Sequence, residues 1–418
     1  MKRRVVVTGL GIVTPLGYQL DQVWQRILAG ESGIHRLQIV DTSDFKVQIG
    51  GDVLDWDPVG YLEPKDMKRI DRFTQFAIVA GTDAAKHAQI DWQQCDRQRC
   101  GVILGSGIGG LGEIERQMIR MVEKGPGRVS PMTVPRMMVN AAAANLAIEF
   151  GLHGTNYTVT TACASATNAI GEAFHAVRSG LLDVVVTGGT EAAICRMSLA
   201  AFQNIRALSR RNDEPARASR PFDADRDGFV FAEGAGILIF ETLEHAQARG
   251  APVLAEVLGY GSSCDALHIT QPDESGHGPS LAMKGALDDA SLPPAEVDYI
   301  NAHGTSTPLG DIAETRAIKQ VFGEHARHLS ISSTKSQVGH SLGASGGVEL
   351  VVTIQAITED LVPPTINLDT PDPECDLDYT PHEPRRRSVR VAMSNSFGFG
   401  GHNASVIVAK FDPDRSIN

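Results

Sequence analysis

Short β-rich runs alternate with amphipathic stretches along this whole chain, and that alternation rules out most architectures. Val5–Thr8, Val102–Leu104, Tyr157–Thr160 and Val184–Thr187 are brief and rich in β-branched residues, and several end in glycine-containing turns. Between them lie stretches such as Asp21–Leu28 and Arg72–His87, whose apolar residues recur at helical spacing. The rhythm returns later as Val253–Leu258, Tyr299–Asn301, Leu329–Ser332, Arg390–Ser394 and Ala404–Ala409. Strands separated by helices form βαβ units, so the expected class is α/β, with mostly parallel or mixed sheets buried between helices.

The second half also repeats the first in detail. Thr161-Ala162-Cys163 before a small-residue helix has a counterpart in Ser333-Thr334-Lys335 before Gly343–Glu349. The run Asp183-Val-Val-Val-Thr-Gly-Gly resembles Val391-Ala-Met-Ser-Asn-Ser-Phe-Gly, each a strand running into glycine. Two pseudo-duplicated halves are expected, 1–250 and 251–412, meeting near Leu243–Pro252. No Pro/Ser-rich linker separates them, so they should pack tightly. A chain of 418 residues can bury a core of that size.

The pentapeptide Thr161-Ala162-Cys163-Ala164-Ser165 sets one thiol between a β-rich run and a helix. That helix carries Ala166, Ile170, Phe174 and Val177 on one face and stops by Gly180. Unpaired backbone N–H groups and the positive end of the helix dipole should lower a thiol there from about 8.5 and favour the thiolate. A buried, inert cysteine is the commoner fate of the residue, so the case for a nucleophile depends on partners. Asn301-Ala-His-Gly-Thr-Ser-Thr307 puts His303 in a loop after a strand, and Lys335-Ser-Gln-Val-Gly-His-Ser341 brings a lysine and His340 before a helix. Asn395-Ser-Phe-Gly-Phe-Gly-Gly401 is a turn whose N–H groups can approach a substrate closely. Singly each has a bland reading. Together they place Cys, His and His at strand ends, where α/β folds put their active sites.

Composition narrows the functions. A net charge of −12 argues against nonspecific nucleic-acid binding. No apolar run approaches the ~20 residues needed to cross a bilayer. Met1-Lys2-Arg3-Arg4 before Val5–Thr8 has the outline of a signal peptide. Gly9 and Gly11 cut the apolar stretch short, so the segment reads as a strand entering a turn. The six cysteines are scattered without metal-ligand spacing, which suits a reducing, cytoplasmic compartment and no bound metal. Gly105-Ser-Gly-Ile-Gly-Gly110 has dinucleotide-loop spacing but lacks the acidic residue expected about 20 positions on, so an ordinary glycine turn is expected.

These motifs, in this order and across essentially the whole chain, resemble the thiolase-fold condensing enzymes. Within them the chain is most similar to the β-ketoacyl-[acyl-carrier-protein] synthases of type II. The resemblance implies a thiolase-like layered α/β sandwich and the elongation step of type II fatty acid biosynthesis. Cys163 would accept an acyl chain from acyl carrier protein. The N–H groups of Cys163 and Phe399 would form the oxyanion hole, and His303 and His340 would donate from Nε2 to a malonyl-derived enolate. Lys335, paired with Glu349, would give electrostatic support, with Glu314 and Asp311 nearby. Each histidine would need a further acceptor to fix its tautomer. Thr305, Thr307 and Thr270 would hold a phosphopantetheine arm, Ile108 would open the acyl pocket, and Phe399 would gate it.

No cofactor is implied beyond that carrier-borne arm. The expected partners are acyl carrier protein, acyl and malonyl thioesters, and a second copy of the chain paired through Asn156–Thr160. Lys65, Lys68, Arg69 and Arg206, with Arg210 and Arg211, would form a basic docking patch near the tunnel mouth. An iterative polyketide ketosynthase shares the same three residues; the lack of appended modules favours the fatty-acid role. A catalytically dead chain-length factor would lack Cys163, and a thiolase would carry a second cysteine near Ser396–Phe399. His402 and Gly310 depart from the commonest family pattern, where Thr and Asn stand.

Overall fold

A computed structural model describes residues 3–415; Met1 and Lys2, part of the N-terminal stretch weighed above, lie outside them. Five strands of the main sheet come from the first half: β1 (Val5–Val13), β2 (Cys100–Gly105), β3 (Asn156–Val159), β4 (Val184–Glu191) and β5 (Gly234–Thr242). Five come from the second: β6 (Ala255–Cys264), β7 (Tyr299–Asn301), β8 (Ser330–Ser332), β9 (Val391–Gly398) and β10 (His402–Ala409). They join in the order β8-β7-β9-β10-β6-β1-β5-β4-β2-β3. Adding five to each label of one half gives the order of the other, read outward from the β1–β6 seam.

Pairing directions repeat as well. β2 runs parallel to β3 and β4, as β7 does to β8 and β9. The inner pairs β4–β5, β5–β1, β9–β10 and β10–β6 are antiparallel, and so is the seam of Val5–Val7 on Ala255–Val257. The sheet is therefore mixed, with parallel pairing confined to its outer ends. The inner reversal follows from connection length. β9 returns as β10 through the tight Gly398–Gly401 turn, which only antiparallel neighbours allow.

Helices α1 (Leu20–Leu28), α2 (Arg72–His87), α3 (Leu111–Lys124), α4 (Ala141–Phe150) and α5 (Ser165–Arg178) belong to the first half. Then follow α6 (Arg196–Asn204), α7 (Leu243–Ala248), α8 (His277–Ala290), α9 (Pro308–Phe322) and α10 (Ser345–Glu359). α2 packs on β1 and β5, α8 packs on β6 and β10, while α5 and α10 touch strands of both halves. The result is a layered sandwich with α5 and α10 at its centre. Their sequences suit that place: nearly every residue of α5 is buried, which its many Ala, Ser and Gly residues allow on all sides.

Gly9 and Gly11 do not end the first strand, as the sequence suggested; they lie inside β1. A Cβ on Gly9 would meet the Ala84 carbonyl oxygen at 2.0 Å, and one on Gly11 would meet that of Ala80 at 1.9 Å. These glycines let α2 lie directly on the strand, a close-approach role rather than a turn. The loops after β2, β3, β7, β8 and β9 carry Gly105–Gly110, Cys163, His303, Lys335 and Phe399, so strand ends from both halves converge on one place.

Candidate active site

The chain turns from β3 into α5 within five residues. Ala162 takes a left-handed conformation (φ 51°), and the Ser165 hydroxyl donates to its carbonyl at 2.6 Å while accepting the Thr161 N–H at 2.9 Å. Asn168 donates to Thr161 Oγ1 at 2.6 Å and itself accepts from the Tyr260 hydroxyl at 2.6 Å. This elbow holds the Cys163 thiol out at the start of the helix, close under Gly398. A Cβ at Gly398 would come within 3.0 Å of the Cys163 nitrogen. The N–H groups of Phe399 and Cys163 both hydrogen-bond towards the sulfur.

Opposite the thiol stand two imidazoles, their ring centres 5.5 Å apart and nearly perpendicular. Lys335 Nζ donates to the His303 carbonyl at 2.6 Å, lies 3.5 Å from His303 Nδ1, and makes a very short contact with Glu349. An ammonium can only donate, so His303 Nδ1 is the acceptor and its proton sits on Nε2. His340 Nδ1 lies 2.9 Å from the Ser345 hydroxyl, which can donate to it, and the His340 N–H donates to the Val230 carbonyl at 2.7 Å. His303 thus presents Nε2–H to the space in front of Cys163, and His340 does the same when the Ser345 hydroxyl donates to its Nδ1. At His303 the expectation of an acceptor is corrected: the Lys335 donor at Nδ1 fixes the tautomer. Ser345 was not singled out from sequence, because only the fold of 341–345 brings it to the ring.

Burial, then the Lys335 charge, push both histidines well below their ordinary value, so both are neutral near pH 7. The expected fall in the thiol's pKa is also corrected. Burial pushes Cys163 up to about 11, outweighing Lys335 and the two backbone N–H groups, while Glu191 adds to the rise. The site at rest is a protonated thiol before two neutral imidazoles.

Carboxylates hold the His303 loop from behind. Glu314 accepts the N–H groups of His303 at 2.9 Å and Gly304 at 2.8 Å, and burial raises it to about 7. Asp311 accepts from Phe222 at 2.8 Å and Ser306 at 3.2 Å, lies 3.5 Å from Arg226, and rises to about 6 through burial. Glu349 is buried and raised, chiefly by burial, against the pull of Lys335.

Cys163, His303 and His340 line a single cavity of ≈ 550 Å³. Ile108, Arg206, Thr270, Thr305, Thr307 and Phe399 line it too. Ile108 packs with Phe202 and Phe229 in the apolar cluster that contains Cys163. Thr305 and Thr307 face each other at 3.1 Å, and a Cβ at Gly310 would strike Thr307 Oγ1 at 2.4 Å. Thr270 is exposed at the rim, and the His402 ring lies beside Gly400. Lys335 and Glu349 sit behind the lining. Lys65, Lys68 and Arg69 are exposed but are not among the lining residues, and Arg69 pairs with Asp66 at 3.5 Å. Of the basic residues expected to cluster, Arg206 alone lines the cavity; Lys65, Lys68 and Arg69 belong to the short Pro64–Met67 helix and the residues just after it, ahead of α2.

The Gly105–Gly110 loop encloses a carboxylate of its own chain. Glu191 accepts the N–H groups of Gly107 at 2.6 Å, Ile108 at 3.2 Å and Gly109 at 3.0 Å, the Ser106 hydroxyl at 3.0 Å, and the Gly343 N–H at 3.3 Å. Donors that would cradle a phosphate are already engaged, which settles the dinucleotide question. The sequence reading missed Glu191. Its signal was an acidic residue closing the strand Val184–Glu191, itself the neighbour of β2.

Fold and cavity define a class: a thiolase-like α/β protein that faces one thiol with two neutral imidazoles. Residues 2–246 match the family model described as "Beta-ketoacyl synthase, N-terminal domain", and 254–369 match "Beta-ketoacyl synthase, C-terminal domain". The chain is 51% identical over 410 residues to a 3-oxoacyl-[acyl-carrier-protein] synthase 2 of Synechocystis sp., covering 98% of this chain and 99% of that one. A protein of the same name from Staphylococcus aureus is 48% identical over 410 residues, with the same coverage. Among solved structures, a beta-ketoacyl synthase from Burkholderia phymatum matches with TM-score 0.91 and 36% identity over 99% of this chain and 100% of that one. A type II polyketide synthase acyl-carrier protein in complex with its ketosynthase matches with TM-score 0.92 and 34% identity, also over 99% and 100%. The chain belongs to the β-ketoacyl synthase family.

Proposed function

We propose that this protein is an acyltransferase that condenses malonyl-[acyl-carrier-protein] with an acyl group held on Cys163, releasing CO₂ and 3-oxoacyl-[acyl-carrier-protein]. The observation that carries the reading is the pair of neutral imidazoles lining the cavity that holds the thiol. In the first half-reaction the Cys163 sulfur attacks the carrier's acyl thioester, and its proton ends on the departing pantetheine sulfur. The two N–H groups of Cys163 and Phe399 hold the oxyanion of the tetrahedral intermediate. The field of Lys335 and the start of α5 offset part of the burial that keeps the thiol protonated.

In the second half-reaction malonyl thioester takes the vacated arm position, where Thr305 and Thr307 offer hydroxyls. Loss of CO₂ leaves an enolate whose oxygen accepts from His303 and His340. Neutral donors suit this role, because an imidazolium would protonate the enolate rather than hold it. The enolate carbon attacks the acyl-Cys163 carbonyl, the thiolate leaves, and one proton taken up restores the thiol. The apolar cluster of Ile108, Phe202 and Phe229 beside Cys163 suits a growing acyl chain.

The fatty-acid role is favoured over the polyketide one, since the relatives at 48–51% identity carry the synthase 2 name and the polyketide ketosynthase stands at 34%. Acyl carrier protein is the proposed partner, with Arg206 at the mouth as its basic contact; Lys65, Lys68 and Arg69 would act outside the cavity. A homodimer through β3 suits its position as an outermost strand with Tyr157 exposed. Among the described residues no helix is long and apolar enough to cross a membrane, and the six unpaired cysteines suit the cytoplasm.

The test separates the half-reactions. Cys163→Ala should abolish acylation and condensation. His303→Asn and His340→Asn should still take an acyl group from acyl-carrier protein, yet lose condensation by about 10²–10³-fold, the usual cost of one oxyanion donor. Extended product from Cys163→Ala would refute the assignment.

A further inference from the structure

A second thiol site lies at the opposite end of β2 from the cavity. Cys100 opens the strand and is buried; Cys95, half-buried, packs on the same apolar cluster across the short turn 96–99. Val184 pairs with Cys100 on one side and with Glu241 on the other, and this register brings His245, on α7, to the Cys95 side of the turn. Its Nδ1 is bound to Glu241 at 2.6 Å, which leaves Nε2 for the sulfur. Glu241 is fully buried and held in turn by Arg249 at 2.9 Å and by the Thr8 hydroxyl. Six groups from three separate parts of the chain, namely Thr8, the segment with Cys95 and Cys100, and the segment with Glu241, His245 and Arg249, thus form a carboxylate–imidazole–thiol relay with a second thiol beside it. The mechanism above uses none of them. Cys100 and Gly105 are five residues apart along a strand, about 17 Å, so this chemistry is separate from Cys163.

We propose that Cys95 is a peroxide-reactive thiol that closes a disulfide with Cys100. The Cys95 thiolate attacks one peroxide oxygen and the O–O bond breaks. Cys95 becomes a sulfenic acid, and the departing hydroxide takes a proton from His245 and leaves as water. The Cys100 sulfur then attacks the Cys95 sulfur, its proton joins the leaving hydroxide, and a second water departs. Two thiols are oxidised to one disulfide while one peroxide is reduced to two waters.

The electrostatics agree with the geometry. Cys100 and His245 lower the Cys95 thiol well below its ordinary value, and Cys95 and Glu241 raise His245 above its own. Cys100 stays a thiol, raised by its neighbour and by burial, until Cys95 is oxidised.

The intact protein supplies its own control, because Cys264 is exposed and lies apart from this relay. Peroxide titration, quenching with iodoacetamide and peptide mass spectrometry should find a Cys95–Cys100 crosslink at doses that leave Cys264 free. In Cys100→Ser, dimedone should trap the Cys95 sulfenic acid. At pH 6 Cys95 should react about tenfold faster than Cys264, and His245→Gln should remove that advantage. Equal rates at the two cysteines in the wild type would overturn the proposal, whatever the variants do. So would an unchanged Cys95 rate in a folded His245→Gln protein.

Discussion

The β3–α5 and β8–α10 crossovers occupy equivalent places in the duplicated halves and are put to opposite uses. The first takes five residues, bends at left-handed Ala162 and delivers Cys163 to the cavity. The second inserts the short Lys335–Val338 helix and His340 before α10 begins, and buries Lys335 to 1% exposure. One loop brings a thiol to the cavity; the other hides a charge that adds to burial in keeping the neighbouring histidines neutral. Duplication supplies a common frame, and the asymmetry of the chemistry arises from what each crossover buries.

That contrast is broken most severely at the lysine. Lys335→Met leaves the buried Glu349 uncompensated and frees the His303 tautomer, so stability should fall by ~3–5 kcal/mol in chemical denaturation and condensation should be lost. Adding Glu349→Leu should return most of the stability and none of the activity; recovered activity would show that Lys335 acts only in packing. Cys163→Ala, at the equivalent loop, should abolish activity with stability changed by less than about 1 kcal/mol, since it removes one sulfur beside an open cavity.

Glu314 tests the histidine side through pH. Its folded value of about 7 lies above the ordinary 4.5, so its protonated form stabilises the fold below pH 4.5 and that contribution is lost as pH rises to 7. The loss is on the order of 3 kcal/mol, and Glu314→Gln should flatten this slope in denaturation curves taken between pH 4.5 and 7.5. The thiol side should behave differently. Alkylation of Cys163 in the free protein should climb about tenfold per pH unit from 7 to 9.5, with no plateau, because its value lies near 11. A plateau near pH 8.5 would mean that the helix start outweighs burial.

Smaller effects refine the picture. Ser345→Ala should slow condensation about 10-fold while leaving acylation of Cys163 unchanged, the cost of a lost orienting partner. Arg206→Glu should raise the apparent KM for carrier-bound substrate several-fold at low salt and little at high salt. Lys65→Glu with Arg69→Glu should do less, as both lie off the cavity; an effect larger than that of Arg206→Glu would move the docking surface.

Much of this was readable in the residues. Arg72–His87 declares itself because an amphipathic helix packed on one face must repeat its apolar residues at helical spacing. The His303, Lys335–His340 and Phe397–Gly401 motifs are visible because each loop is short and its chemistry local. β5 escaped notice because it opens Gly-Ala-Gly, which blunts a strand pattern. Gly9 and Gly11 read as a turn because the carbonyls of Ala80 and Ala84, which need that space, are some seventy positions away. The Gly105–Gly110 loop looked free for the same reason, since its acceptor is the distant Glu191.

The order of residues alone settled the alternating α/β build, its duplication, and which side chains stand at strand ends, because secondary structure and turns depend on neighbours in sequence. Only the folded chain decided that Cys163 rests as a thiol, that both histidines are neutral, and which nitrogen of His303 bears the proton. Those are matters of desolvation and of donors placed by packing, set by groups hundreds of residues apart that meet only when the two halves close on α5 and α10.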